Sequence, residues 1–254
     1  MSISISGYTL IDTLYESSTT VIHRAFRVAD RASVIIKTLK AEYPTPEQIT
    51  RLRYEYKILE SLEVEGIAKP LALENYKNGL ALILLDLGGD TLRKIINLQK
   101  GLQLSKFLPI AIQLASILAA LHDNNIIHKD INPNNILIHE ETGRVRLIDF
   151  SISSCLSIES QAVSNPNLLE GTLAYISPEQ TGRMNRSIDY RTDFYSLGVS
   201  FYEMLTGQLP FPTIDPLELV HCHIAKIPLP PHLINSEIPE ALSNIVMKLL
   251  AKTA

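Results

Sequence analysis

Cysteine is scarce in this 254-residue chain, which has Cys155 and Cys222 and no others. Two unpatterned cysteines cannot build a disulfide framework or a thiolate zinc site, so a reducing, cytoplasmic compartment is the simplest expectation. Long runs of one charge are also missing. Lys and Arg number 23 against 27 Asp and Glu, a formal charge of −4. Neither sign gathers into the patch that nucleic acid or an anionic membrane requires, so neither is expected as a partner. No window approaches the roughly 18–20 uninterrupted apolar residues of a membrane span. The opening MSISISGYTLIDTLYE has no basic flank before a long apolar core and does not read as a secretory signal. Internal repeats and low-complexity tracts are absent too.

What is present centres on HKDINPNNILI, His128 to Ile138, followed by LIDFS, Leu147 to Ser151. This stretch places Asp130, Asn135 and Asp149 in a spacing suited to holding a metal-bound phosphate and a hydroxyl together. A hydroxyl is a weak nucleophile until a carboxylate accepts its proton, and nucleotide phosphates repel an attacker until a divalent metal neutralises them. An isolated Asp in an Asn-rich loop is more often a turn or helix cap. The ordered set makes the chemical reading the stronger one.

H-x-D-x4-N followed by D-F-x, with VIIK upstream and P-E downstream, resembles a eukaryotic-type serine/threonine protein kinase domain. The resemblance implies an α+β, two-lobed fold. Residues 1–86 would form a small antiparallel β lobe with one key helix, and residues 87–254 a larger, mainly helical lobe, incomplete at its C-terminus. It implies ATP with Mg2+, or Mn2+, as cofactors. Asp130 would be the catalytic base, and Asn135 and Asp149 the metal ligands. Lys37 would contact the ATP phosphates, with Glu55 as its ion-pair partner. Leu14, Ile22, Ile35, Leu85 and Leu137 would surround the nucleotide, with backbone groups near Leu85 to Leu87 bonding the adenine. His128 is expected to be a packed core histidine, and Asp193 to tie back to the HKD backbone.

The departures from the family pattern are specific. The three positions of the glycine-rich loop fall on Tyr15, Ser17 and Thr20, none of them glycine. Lys129 replaces the Arg of H-R-D, Asn132 replaces a Lys, and Ser151 replaces the D-F-G glycine. Leu168 occupies the usual primary phosphorylation position, so activity independent of activation-loop phosphorylation is expected. The resemblance implies transfer of the ATP γ-phosphoryl group to serine or threonine hydroxyls of a protein substrate, itself unknown, in bacterial signal transduction. The same departures support an alternative, a catalytically weak pseudokinase acting as a nucleotide-binding or interaction module of a larger signalling protein. A small-molecule kinase would share H-x-D-x4-N but not GTLAYISPE. The segment YISPEQTGRMNR further resembles the N-terminal kinase module of large bacterial, cyanobacterial-type proteins that also carry ATPase, GAF and histidine kinase regions, either in a longer chain or in a neighbouring product.

Local patterns predict strands in YTLIDTLYE, TTVIHRAFRVA and SVIIKTLK. Thr45, Pro46 and Gln48 predict a helix start with a capping box, and Leu52, Tyr56 and Leu59 its apolar face. Leu80 to Leu87 reads as a buried strand running into a linker at Gly88 and Gly89. Ser105 to Asn124 reads as an amphipathic core helix facing inward with Leu108, Ile112, Ala115, Leu118 and Leu121. Asp215, Pro216 and Glu218 predict another helix with a capping box, and Glu240 to Leu250 a further one. The ending LLAKTA is expected to leave Glu179 buried without an arginine partner and the chain marginally stable.

Overall fold

Strand-forming Val, Ile and Thr dominate the first forty residues, and they pair as the alternation requires. The structure, a computed structural model, describes residues 5–156, 171–183 and 186–252. It divides into two units, one of residues 1–63 and 67–88, the other of 64–66 and 89–254.

The first unit is built on a five-stranded antiparallel sheet. Its strands are β1 (Tyr8–Glu16), β2 (Thr20–Arg27), β3 (Ser33–Leu39), β4 (Pro70–Tyr76) and β5 (Gly79–Leu85), in the order β1-β2-β3-β5-β4. Ala25, Val34, Ile36, Ala81 and Ile83 bury one face completely. On the other face lie Leu80 and Leu82, packed against Leu52 of helix α1 (Pro46–Ser61). α1 starts where Thr45 and Gln48 predict. The Thr45 hydroxyl accepts the Gln48 amide and the Gln48 side chain accepts the Thr45 amide, so two otherwise orphaned donors are satisfied. The helix buries Leu52, Glu55, Ile58 and Leu59, while Tyr56 is half-buried with its hydroxyl donated to Glu60.

The second unit is mainly helical. Its helices are α2 (Leu92–Gln99), α3 (Leu104–Asp123), α4 (Arg191–Thr206), α5 (Pro216–Ala225), α6 (Pro231–Ile234) and α7 (Glu240–Leu249). Short strands β6 (Asp90–Thr91), β8 (Ile136–Ile138) and β9 (Val145–Leu147) form one small sheet, and β7 (Ile126–Ile127) pairs with β10 (Ser154–Cys155). Gly89 has φ +94°, and a Cβ there would lie 2.7 Å from the Ile138 carbonyl oxygen, so β6 can approach β8 only because this residue is glycine.

Two local expectations need correction. α3 faces inward with Phe107, Ile110, Leu114, Ile117, Leu118 and Leu121, whereas Leu108 and Ile112 are 46% and 65% exposed and Ala115 also lies outward. The helix is apolar on nearly every side, so several stripes fit a 3.6-residue period equally well. For the same reason α3 is, among the described residues, the one helix long and apolar enough by length and composition to cross a membrane. Its buried side packs within this unit, as in the edge-to-face contact of Phe107 with Phe201 at 5.2 Å. At α5 only half of the capping box forms. Asp215 accepts the Glu218 amide at 2.8 Å, but the Glu218 carboxylate turns to Thr213 and Lys226.

Candidate active site

In the first unit, β3 puts Ile35 and Lys37 on one face, and the ladder sets Ile22 opposite Lys37. Lys37 is 5% exposed and Glu55 1%. The Lys37 ammonium lies 2.9 Å from each oxygen of the Glu55 carboxylate. α1 presents Glu55 between Leu52 and Ile58 on its buried side, so the charge is carried inward and needs the lysine there.

The turn between β1 and β2 is built without glycine. The Ser17 hydroxyl accepts the Thr20 amide at 2.9 Å and the Thr19 amide at 3.2 Å. The Ser17 amide also donates to the Thr20 carbonyl at 2.9 Å. No residue from 15 to 20 has positive φ. The backbone of this turn therefore makes no steric demand for glycine. Tyr15 is 57% exposed; Leu14, 45% exposed, falls in a ladder irregularity between Thr13 and Tyr15.

Leu85 donates its amide to the Lys69 carbonyl at 2.9 Å, and Asp86 its amide to Ser33 at 3.3 Å. Two of the backbone groups in the stretch expected to meet adenine are thus already engaged. Asp86 is itself fixed. Burial would raise its pKa, but the Gly88 amide, the Ser33 hydroxyl and Arg24 outweigh that and hold it below the usual carboxylate range.

In the second unit the HKD loop is pinned at three points. Asp193, fully buried on α4, accepts the amides of His128 at 2.9 Å and Lys129 at 2.8 Å. The Gln180 side chain donates to the Lys129 carbonyl at 2.9 Å. The His128 ring donates to the Ile148 carbonyl at 3.1 Å, accepts the Asp130 amide at 3.2 Å and stacks edge-on to Phe150. His128 is wholly buried, as a packed core histidine should be. Lys129 and Asp149 both have left-handed φ, 68° and 63°, conformations that cost a non-glycine residue on the order of 1–3 kcal/mol and cluster at functional sites.

Asp130 is held on both oxygens. Oδ2 accepts the Asn135 side-chain amide at 2.8 Å, and Oδ1 accepts the Thr172 backbone amide at 3.0 Å. Asn135 donates a second bond to the Asp130 carbonyl at 3.0 Å. The Asn135 side-chain nitrogen is committed to Asp130, and its Oδ1 is a hard oxygen. The Asn135 carbonyl accepts the Ile148 amide at 2.9 Å, which sets Asp149 beside it across the β8–β9 ladder. An amide oxygen and a carboxylate suit Mg2+ or Mn2+. Leu137 is half-buried on β8.

Two further residues complete the surroundings of Asp130. The resemblance of GTLAYISPEQ to the family segment implies that Thr172 orients Asp130, and it meets that carboxylate through its main-chain amide. Asn132, buried at 1% exposure, donates to the Asp130 carbonyl at 3.1 Å and the Thr172 hydroxyl at 3.2 Å. Just before Thr172, Gly171 has φ +99°, and a Cβ there would come within 3.3 Å of the Lys129 carbonyl oxygen. Glu179 is not the stranded carboxylate expected. It is half-buried and accepts the Thr192 hydroxyl at 2.5 Å. Leu168 and most of the expected activation loop lie outside the described residues.

A two-lobed α+β architecture, a buried Lys–Glu pair in the β unit and an Asp–Asn–Asp loop in the helical unit define a protein kinase. The family model described as "Protein kinase domain" matches residues 8–254, and the chain belongs to that family. Curated relatives agree. A probable serine/threonine-protein kinase of Clostridium perfringens is 32% identical over 246 residues, which is 96% of this chain and 35% of that protein. The serine/threonine-protein kinase PknB of Mycobacterium tuberculosis is 29% identical over 241 residues, covering 91% of this chain and 37% of its own length. PksC of Streptomyces coelicolor is 28% identical over 261 residues, covering 96% and 45%. The chain thus spans less than half the length of each of these relatives.

Proposed function

We propose that this domain transfers the γ-phosphoryl group of ATP to serine or threonine hydroxyls of a protein substrate. The observation that carries the reading is the double anchoring of Asp130, by Asn135 and by the Thr172 amide, which leaves a carboxylate oriented to take the proton of an incoming hydroxyl. Lys37, aimed by Glu55, holds phosphate oxygens. Ile22 and Ile35, on the Lys37 face of the sheet, offer apolar surface to the base, and the other nucleotide contacts assigned to Leu14, Leu85 and Leu137 are part of the same reading. Asn135 and Asp149 hold the divalent cation, Mg2+ or Mn2+, which neutralises phosphate charge when bound. Catalysis is then positioning plus charge neutralisation.

The wider setting belongs to the same proposal. The resemblance of YISPEQTGRMNR to cyanobacterial-type sensor proteins supports coupling to ATPase, GAF and histidine kinase regions, and the sparse cysteines support a cytoplasmic location, away from nucleic acid and membrane. The test is incorporation of label from γ-labelled ATP into the domain and a generic basic protein, wild type against Asp130→Asn. Phosphoserine or phosphothreonine that disappears in the variant supports the reading. Absence of transfer by a cooperatively folded wild type overturns it.

A further inference from the structure

The sheet face that carries Lys37 ends in a charged knot. Ser33, Ile35 and Lys37 alternate onto one face of β3, and the ladder sets Arg24 opposite Ile35 and Ile22 opposite Lys37. Arg24 therefore shares the Lys37 face, two residues beyond Ile22. It lies toward the end of the sheet at which β5 leaves, since β5 makes its last pair there, Leu85 with Val34. Beyond that pair the ladder tapers to the bond from the Asp86 amide to the Ser33 carbonyl, at 3.3 Å.

The Asp86 side chain takes over where the ladder weakens. Oδ2 accepts Arg24 Nε at 2.8 Å and the Ser33 hydroxyl at 2.7 Å, and Oδ1 accepts the Gly88 amide at 3.0 Å. One carboxylate thus ties β2, β3 and the departing segment together. The Asp86 side chain is 10% exposed and that of Arg24 34%, so the bond between them is charge-assisted and partly out of water. Gly88 takes φ 64° and turns the chain directly after the stretch expected to meet adenine. A neutral residue at either end of the pair would leave that stretch tethered by weaker bonds.

We propose that the Arg24–Asp86 pair, with Ser33, is a strap that fixes residues 85–88 in the course that receives the nucleotide base, making Arg24 and Asp86 positioning residues for ATP binding. This rests on the kinase reading above. A segment already ordered in the free protein loses less freedom when it binds, so the strap raises affinity and leaves the chemical step alone. The test is Arg24→Met, which keeps an unbranched stem on β2 and leaves Asp86, Ser33 and Gly88 in place. Expected are a melting temperature within a few degrees of wild type, a KM for ATP about tenfold higher with kcat within about twofold, and hydrogen exchange at the Gly88 amide about fivefold faster or more in the nucleotide-free protein. Asp86→Asn, equal in size but uncharged, should raise KM in the same way and supplies the test if Arg24→Met fails to fold. A wild-type KM in the folded variant, or wild-type exchange at Gly88, overturns the strap; a lower melting temperature with KM unchanged would make the pair structural alone. If the wild type transfers no phosphate the kinase reading fails, and Gly88 exchange in Arg24→Met still decides whether the pair holds the segment.

Discussion

Lys37 and Glu55 meet through both carboxylate oxygens at 2.9 Å, inside a unit where each is at most 5% exposed. A buried pair of this kind contributes little net stability over an apolar pair, but removing one partner takes from the other buried charge the ion pair that offsets its desolvation. Glu55→Ala should therefore destabilise the domain by about 3–5 kcal/mol, whereas Lys37→Met/Glu55→Leu should recover more than half of that in urea unfolding. Both variants should lose transfer activity, because the ammonium is then misaimed or gone. A double variant less stable than the single one would refute this account of the pair.

The glycine-free turn makes the opposite prediction from its family pattern. Ser17 organises the turn through its own hydroxyl, and no residue from 15 to 20 takes a left-handed φ. Restoring glycine with Ser17→Gly removes those bonds and adds unfolded-state entropy, for a loss of about 1 kcal/mol. Nucleotide affinity should fall as well. Thermal melts with and without ATP and Mg2+ check both parts; a larger ATP-induced stabilisation in the glycine variant would show that the turn is held back by its serine.

The sequence made legible those parts of the site where side-chain identity is itself the chemistry. Lys37, Glu55, Asp130, Asn135 and Asp149 each matter through a charged or amide group, so their spacing could be read directly. Thr172 was legible through the GTLAYISPEQ segment, but not that it meets Asp130 through a backbone amide, which any residue supplies. Asn132 replaces a charged residue with a small hydrogen-bonding one whose bond to the Thr172 hydroxyl reaches forty residues along the chain, beyond local pattern. The phase of α3 was hidden for a different reason. Leu108 and Ile112 are as apolar as Ile110 and Leu114, and only packing distinguishes the two stripes. The helix starts at Thr45 and Asp215 were readable because capping is a short-range bond between residues three apart.

Asp193 offers a test of how the loop is strained. It accepts the amides on either side of the His128–Lys129 peptide while Lys129 sits at φ 68°, and it also accepts the His122 ring at 2.9 Å. Asn at this position keeps the shape but turns one acceptor into a donor facing buried donors. Asp193→Asn should cost at least about 2 kcal/mol, and should lower kcat by on the order of a hundredfold as Asp130 shifts. Full activity with reduced stability would mean that Asp193 supports the unit without positioning the loop.

A pH dependence of the folded domain is expected from His223, away from the catalytic loop. Burial, helped by the nearby Lys252 charge, pushes its pKa down to about 4 from an ordinary 6.5. Lys252 donates to the Tyr195 hydroxyl at 2.8 Å, and that hydroxyl meets His223 Nδ1 at 3.0 Å, where it donates to a neutral ring. The unfolded chain binds the proton as pH falls below 6.5, whereas the folded chain resists it until about 4. Between those values the unfolded state holds more protons, so stability is lost as pH drops, by on the order of 3 kcal/mol in all. His223→Phe removes the titrating group, and its stability should fall more gently across the same window even if it starts lower. Urea unfolding of both proteins at intervals from pH 7 to pH 4 separates the slope from the offset; equal slopes would assign the acid sensitivity to other groups.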